Sequence, residues 1–315
     1  MQQRRVGHSG LRVSRLGLGT WLWGQDTDEH EARDQLTAFV DAGGNLVDTA
    51  AGYGEGLSEE VLGSLIGEVV DRDDLVIATK AGSASAGGTS RGALLGQLDA
   101  SLRRLGLDHV DLWQVHGWSD DAPWQETLSV LDVAVSTGRV RYAGVSNYTG
   151  WQTALAQTWQ TAVPGRAPMA ATQVEYSLLN RAVELEVLPA ATALGLGVLA
   201  WAPLGRGVLT GKYRTGTPAD SRAASPHLAD NVGVYLDDRS RRIVEAVVRA
   251  AEGLSLTPVE VALAWVRDRP GVTAPIVGAR TAAQLRGALT AEQVDLPPEI
   301  AAALDDVSGG VDLEP

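Results

Sequence analysis

With 315 residues, 44% of them apolar, and a formal net charge of −13, the chain has material for one large α/β domain or two ordinary ones. Its acidity argues against nucleic acid or an anionic membrane as partner, although a few local cations would still hold an anionic cofactor. Cysteine is absent, which removes disulfides, thiolate metal sites and cysteine nucleophiles; with a polar start (MQQRRVGHSG) and no run of 18 apolar residues, a cytoplasmic protein without a membrane span is expected.

The first predicted element is a hairpin over 4–13, with a polar, Gly-bearing turn suited to capping the floor of a larger structure. Short apolar, often β-branched runs follow at 14–18, 45–48, 75–79, 110–115, 140–145, 171–174, 197–200 and 274–277. Their ends fall about 30 residues apart, except across the last gap. They are too apolar to alternate, as parallel strands buried on both faces should be. Amphipathic segments lie between them. Asp28 and Glu31 form the pattern of a capping box, Ala32, Leu36, Phe39 and Val40 line one face, and Gly43-Gly44 stops that helix. Leu94, Leu95, Leu98, Leu102 and Leu105 form a second stripe ending at Gly106. Pro123 opens a third helix, with Leu128, Leu131 and Val135 inward and Gly138 at its end. Between the seventh and eighth strands an insertion at about 205–240 has the composition of a lid or binding loop. The expected fold is a single-domain (β/α)8 TIM barrel spanning 1–315, with an N-terminal β-hairpin cap and a long loop after strand 7; an open doubly wound sheet is the alternative.

Basic positions are written almost entirely as arginine: 24 Arg against Lys80 and Lys212. A retained lysine at the end of a buried strand points to chemistry that a guanidinium cannot perform. Successive strands deliver Asp48, Lys80 and His116 to their carboxyl ends, and the loop after the second carries Tyr53. In a barrel these four converge on one rim. Together they suit proton delivery to a carbonyl. An ammonium beside a phenol stabilises the phenolate, a carboxylate holds the ammonium, and a histidine donates to the substrate oxygen. None of them supplies electrons, so hydride must come from a nicotinamide. The Rossmann G-x-G-x-x-G pattern is absent, as is Walker A, since Gly211-Lys212 is followed by Tyr213.

The settings NLVDTAAGYG, IATKAG and QVHGW around these four residues resemble the tetrad of the aldo-keto reductases. The resemblance runs through GHSGLRVSRLGLGTW, ASLRRLGLDHVDLWQVH, GRVRYAGVSNY, TQVEYSLLNR, LAWAPLGRGVLTGKY and PIVGARTAAQL, nearly the whole chain, and is to the bacterial branch with GLGTW and GVSN signatures. It implies a (β/α)8 barrel that reduces aldehydes and ketones with NADPH, NADH being possible. By position, Tyr53 is implied as proton donor, tuned by Lys80 and Asp48, with His116 orienting the carbonyl. Ser146, Asn147 and Gln173 match the residues that hold the nicotinamide carboxamide, and Trp201 takes the place of the aromatic stacked on its ring. Leu204, Gly205, Arg206, Gly207 and Lys212 fall in the segment around the pyrophosphate. Gly278, Ala279, Arg280 and Gln284 match the adenosine-phosphate segment, with Arg280 as the reader of a 2′-phosphate. Gly287 and Ala288 stand where many members of that family carry an acid and an asparagine on adenine, and Gln284 stands where others have arginine. These departures leave the preference for NADPH over NADH open.

Aromatic residues near the strand ends, Trp21, Trp23 and Trp118 with Tyr53 and Trp201, suggest a pocket for a small carbonyl substrate of apolar or sugar-like body. A monomer or small homo-oligomer is expected. Two other readings remain: a Schiff-base aldolase using Lys80, and a nicotinamide-binding sensor or channel-associated subunit with little turnover.

Overall fold

The computed structural model describes residues 1–82 and 88–309. An antiparallel pair, β1 (Gln3–Arg5) and β2 (Arg12–Ser14), precedes eight strands: β3 (Gly17–Gly19), β4 (Leu46–Asp48), β5 (Val76–Ala81), β6 (Val110–Val115), β7 (Val140–Ser146), β8 (Met169–Glu175), β9 (Gly197–Trp201) and β10 (Val272–Val277). β3 to β10 pair in parallel in chain order, and β10 returns to β3 to close a barrel. Helices connect successive strands, giving the (β/α)8 arrangement with its hairpin cap.

Side chains of alternate residues fill the barrel in two directions. Leu46, Ala78, Leu112, Ala171, Leu199, Ala274 and Ile276 pack inside it, closed from below by Val6, Leu11 and Val13 of the hairpin. Leu18, Val47, Ile77, Trp113, Val115, Val145 and Val198 of the strands belong to a second, larger core with the helices. The hairpin comes so close to the barrel that a Cβ on Gly7, at φ +54°, would lie 2.2 Å from the Gly195 carbonyl oxygen.

The expected first barrel strand, 14–18, is split in two. Ser14 ends the hairpin, and the chain turns a corner before β3 begins at Gly17. Asn45 holds that corner: its Oδ1 accepts from the Ser14 amide at 2.7 Å, and its own amide donates to Ser14 Oγ at 3.1 Å. Bonded sideways to the hairpin, Asn45 stays out of β4.

Asp28 caps the helix Glu29–Asp41 by accepting from the Glu31 amide at 2.9 Å. The Glu31 carboxylate does not complete the box. It accepts instead from the Ala282 amide at 2.7 Å, tying the first helix to Ala282–Leu289 beside it. The leucine stripe forms Arg91–Leu105, ended by Gly106 at φ +67°, and Pro123 precedes Trp124–Ser136. After β9 the chain makes short 3-10 turns at Gly205–Thr210 and Arg222–Ala224 and a short helix, Ala229–Gly233, before the long helix Asp238–Leu254. Among the described residues no helix is long and apolar enough to cross a membrane, and no cluster of acidic or histidine side chains could hold a metal.

Candidate active site at the carboxyl rim

β4, β5 and β6 end side by side, so their last inward residues meet. Asp48 is the final residue of β4, Lys80 lies on β5 in register with Gln114, and the His116 amide extends β6 by donating to Ala81 O at 2.7 Å. Tyr53 begins the 3-10 turn Tyr53–Gly56 and returns over the mouth of the barrel.

Lys80 is completely buried, and its ammonium uses three donors on three partners: Asp48 Oδ2 at 2.6 Å, Thr49 O at 2.9 Å and Tyr53 Oη at 3.3 Å. The second Asp48 oxygen accepts from Gln173 Nε2 at 2.8 Å, so the carboxylate cannot rotate away. Burial works against the ammonium, yet Asp48 and Tyr53 outweigh it and raise the Lys80 pKa. For Tyr53 the balance differs from the simple expectation of a depressed phenol: burial pushes its pKa up, and the neighbouring Lys80 offsets that only in part. The His116 ring lies edge-on to Tyr53, with centroids 5.9 Å apart. Burial, followed by the Lys80 charge, lowers its pKa to about 3, so the imidazole is neutral.

These groups open onto a cleft of about 650 Å³ that continues along the ends of β7 to β10. Ser146 donates its hydroxyl to Gln173 O at 3.0 Å. Asn147, at φ +58°, spans the rim by donating to His116 O and accepting from Trp201 Nε1, each at 2.9 Å. Leu204, Arg206, Gly207, Lys212, Gly278, Ala279, Arg280 and Gln284 line the far part of the cleft. Gln284 accepts from the Arg280 amide at 3.1 Å, and Gly287 and Ala288 form bare wall beside it.

Arg206 is not a free cation. Its guanidinium binds Glu175 at 2.9 and 2.7 Å and donates to Asn231 O at 2.9 Å, while Tyr235 also donates to Glu175 at 3.0 Å. The charge in the cleft comes instead from Lys212, Arg222 and Arg280. Burial lowers the pKa of Lys212 and of Arg222, and repulsion from the neighbouring cations lowers both further. Arg280 approaches Asp220 only at 3.9 Å.

Three expected site residues lie elsewhere. Trp23 is fully buried and donates to Gln35 Oε1 at 3.1 Å, so it packs the first helix against the barrel. Trp118 packs edge-on against Tyr148 and at a tilt against Trp151, not among the residues lining the cleft, and Trp21 alone of the three expected pocket tryptophans is on its wall. Gly205 sits behind the wall, where a Cβ would meet Leu179 Cδ1 at 2.5 Å. Conversely, Arg222 and Glu175 were not expected. Nothing local distinguishes Arg222 from the other 23 arginines. Glu175 had a signal, the same one that marks Asp48: a carboxylate ending a buried strand.

A family model described as the Aldo/keto reductase family matches residues 15–308. An uncharacterized oxidoreductase, YrpG, of Bacillus subtilis (strain 168) is 36% identical over 327 residues, covering 98% of this chain and 97% of that one. The L-glyceraldehyde 3-phosphate reductase of Escherichia coli (strain K12) is 34% identical, covering 90% and 86%. A probable voltage-gated potassium channel subunit beta of Oryza sativa subsp. japonica is 35% identical, covering 89% and 87%.

Proposed function

Since the chain belongs to the aldo/keto reductase family, we propose that it is an NADPH-dependent reductase of aldehydes or ketones, with Tyr53 giving the proton to the carbonyl oxygen. The observation that carries this reading is the buried relay from Gln173 through Asp48 and Lys80 to Tyr53, which lines the cleft. When bound, a reduced nicotinamide supplies the hydride. Lys80 holds the Tyr53 oxygen in place and steadies the phenolate left behind after proton transfer. Asp48 keeps Lys80 charged. His116 is neutral and offers an N–H to the carbonyl oxygen without competing as an acid.

The cofactor residues fit the role. Trp201, bonded to Asn147, lines the same cleft as Tyr53 and His116. Lys212, Arg222 and Arg280, three mutually repelling cations at one end of the cleft, match the phosphates of a dinucleotide and support NADPH over NADH. Lys80 as an imine-forming amine is disfavoured, because it is sealed beneath Tyr53 and held charged by Asp48.

The test is titration with NADPH and NADH followed by tryptophan quenching, then turnover on a carbonyl panel. Tight NADPH binding with reduction is expected, and Tyr53→Phe should lower kcat by about 10²–10⁴-fold with binding retained. Loss of binding in that variant would make Tyr53 structural. Relatives named as potassium channel beta subunits favour a second reading, a nicotinamide-binding regulatory subunit; tight binding without turnover of any carbonyl would select it.

A further inference from the structure

Gln114 is fully buried, and neither the nitrogen nor the oxygen of its amide has a partner among the described residues. An amide removed from water and left unbonded is costly, and native interiors rarely hold one without reason. The same is true of His116 Nδ1, two residues further along the chain, which is buried and without a partner among the described residues.

The register of the strand brings the two together. Leu112 of β6 points into the barrel, so Gln114 and His116, at steps of two, face the same way. Gly144 of β7, in register with Gln114, makes the room: a Cβ there would lie 3.2 Å from Gln114 Cγ and 2.8 Å from Ala171 O. Lys80, in register on the other side, cannot satisfy the amide, because all three of its donors are used. A positive charge on the neighbouring strand favours the amide turned with its oxygen toward Lys80 and its NH2 toward the histidine.

We propose that Gln114 is the positioning residue for His116: its amide NH2 donates to one buried water between the two side chains, that water donates to Nδ1, and the ring proton is thereby held on Nε2. A neutral imidazole has one N–H and one lone pair. A donor at Nδ1 makes that nitrogen the acceptor, and Nε2, the nitrogen left to the cleft, becomes the donor. In the opposite tautomer a lone pair on Nε2 would face the carbonyl oxygen and repel it. The two atoms of the Gln114 amide and His116 Nδ1 are the polar partners such a water would take. This assignment deepens, and rests on, the reading of His116 as the carbonyl's hydrogen-bond donor.

The experiment is ¹⁵N NMR of the histidine rings in the intact protein, with His116→Asn identifying the His116 signals among the five histidines. In the unmodified protein Nδ1 should be unprotonated and Nε2 protonated across the neutral range. Protonation of Nδ1 there would overturn the proposal without recourse to any variant. Gln114→Met, close in volume but without the amide, should shift the His116 signals toward mixed tautomers and lower kcat about tenfold, with NADPH affinity unchanged. Signals unmoved by the substitution would also overturn it. A shifted tautomer with undiminished kcat would uphold the positioning and sink the donor role of His116 instead.

Discussion

Tyr53 and His116 sit 5.9 Å apart between ring centroids, yet burial drives them toward the same electrical state, neutral. The phenol ionises above its usual range and the imidazole gains a proton only near about 3. Reduction needs the protonated phenol, so single-turnover reduction should be flat from about pH 5 to 9 and should fall only as pH rises past the raised Tyr53 pKa. The reverse oxidation needs the phenolate and should rise over that same alkaline limb. A falling limb near neutrality in single-turnover rates would contradict a neutral His116. At this scale the sequence is read well where a reactive residue ends a buried strand, since Asp48, Lys80 and His116 all occupy such positions. It is read poorly where a side chain's role depends on a distant partner. The Glu175–Arg206 pair joins residues 31 apart in sequence, and Trp23 went inward because Gln35 offered its indole a bond.

The segment 202–237 is held by a clasp drawn from three places. Glu175 ends β8, Arg206 follows β9 in a left-handed conformation at φ +57°, and Asn231 and Tyr235 lie beyond. The clasp closes beside Trp201, whose ring is 5.6 Å from the Arg206 guanidinium. Glu175→Gln keeps the shape and removes the charge. Release of NADPH should then accelerate about tenfold, the equivalent of about 1.4 kcal/mol, with single-turnover reduction unchanged. Stopped-flow fluorescence reads it, and an unaltered off-rate would mean the clasp does not restrain the segment. The barrel strands were legible because burial on both faces writes them as apolar runs. The clasped segment was not, since its 3-10 turns and its short helix, Ala229–Gly233, have no periodicity of their own, and the helix is tied down by the distant Arg206 donating to Asn231 O.

Closure of β10 on β3 makes the first and last thirds of the chain depend on each other. Arg15 pairs with Glu292 at 2.8 Å, Arg4 with Asp268 at 2.9 Å, and Glu31 holds the Ala282 amide. Residues 1–315 should therefore unfold as one domain. Urea transitions followed by far-UV circular dichroism and by tryptophan emission are expected to coincide, whereas two separated midpoints would indicate two units. Net charge, a property of the whole chain, conceals the local concentration of Lys212, Arg222 and Arg280 in the cleft.

The two lysines end in opposite circumstances. Lys80 is sealed with every donor engaged, while half-buried Lys212 has a lowered pKa and so a larger free-amine fraction. To an acylating reagent the folded molecule therefore presents a single reactive ε-amine, on the wall of its cleft. Limiting active ester at mildly alkaline pH should modify Lys212 and spare Lys80, and added NADPH should shield it, as peptide mass spectrometry would reveal. A dye or surface coupled through that amine would sit where the anionic ligand enters, so labelling and occupancy would exclude each other.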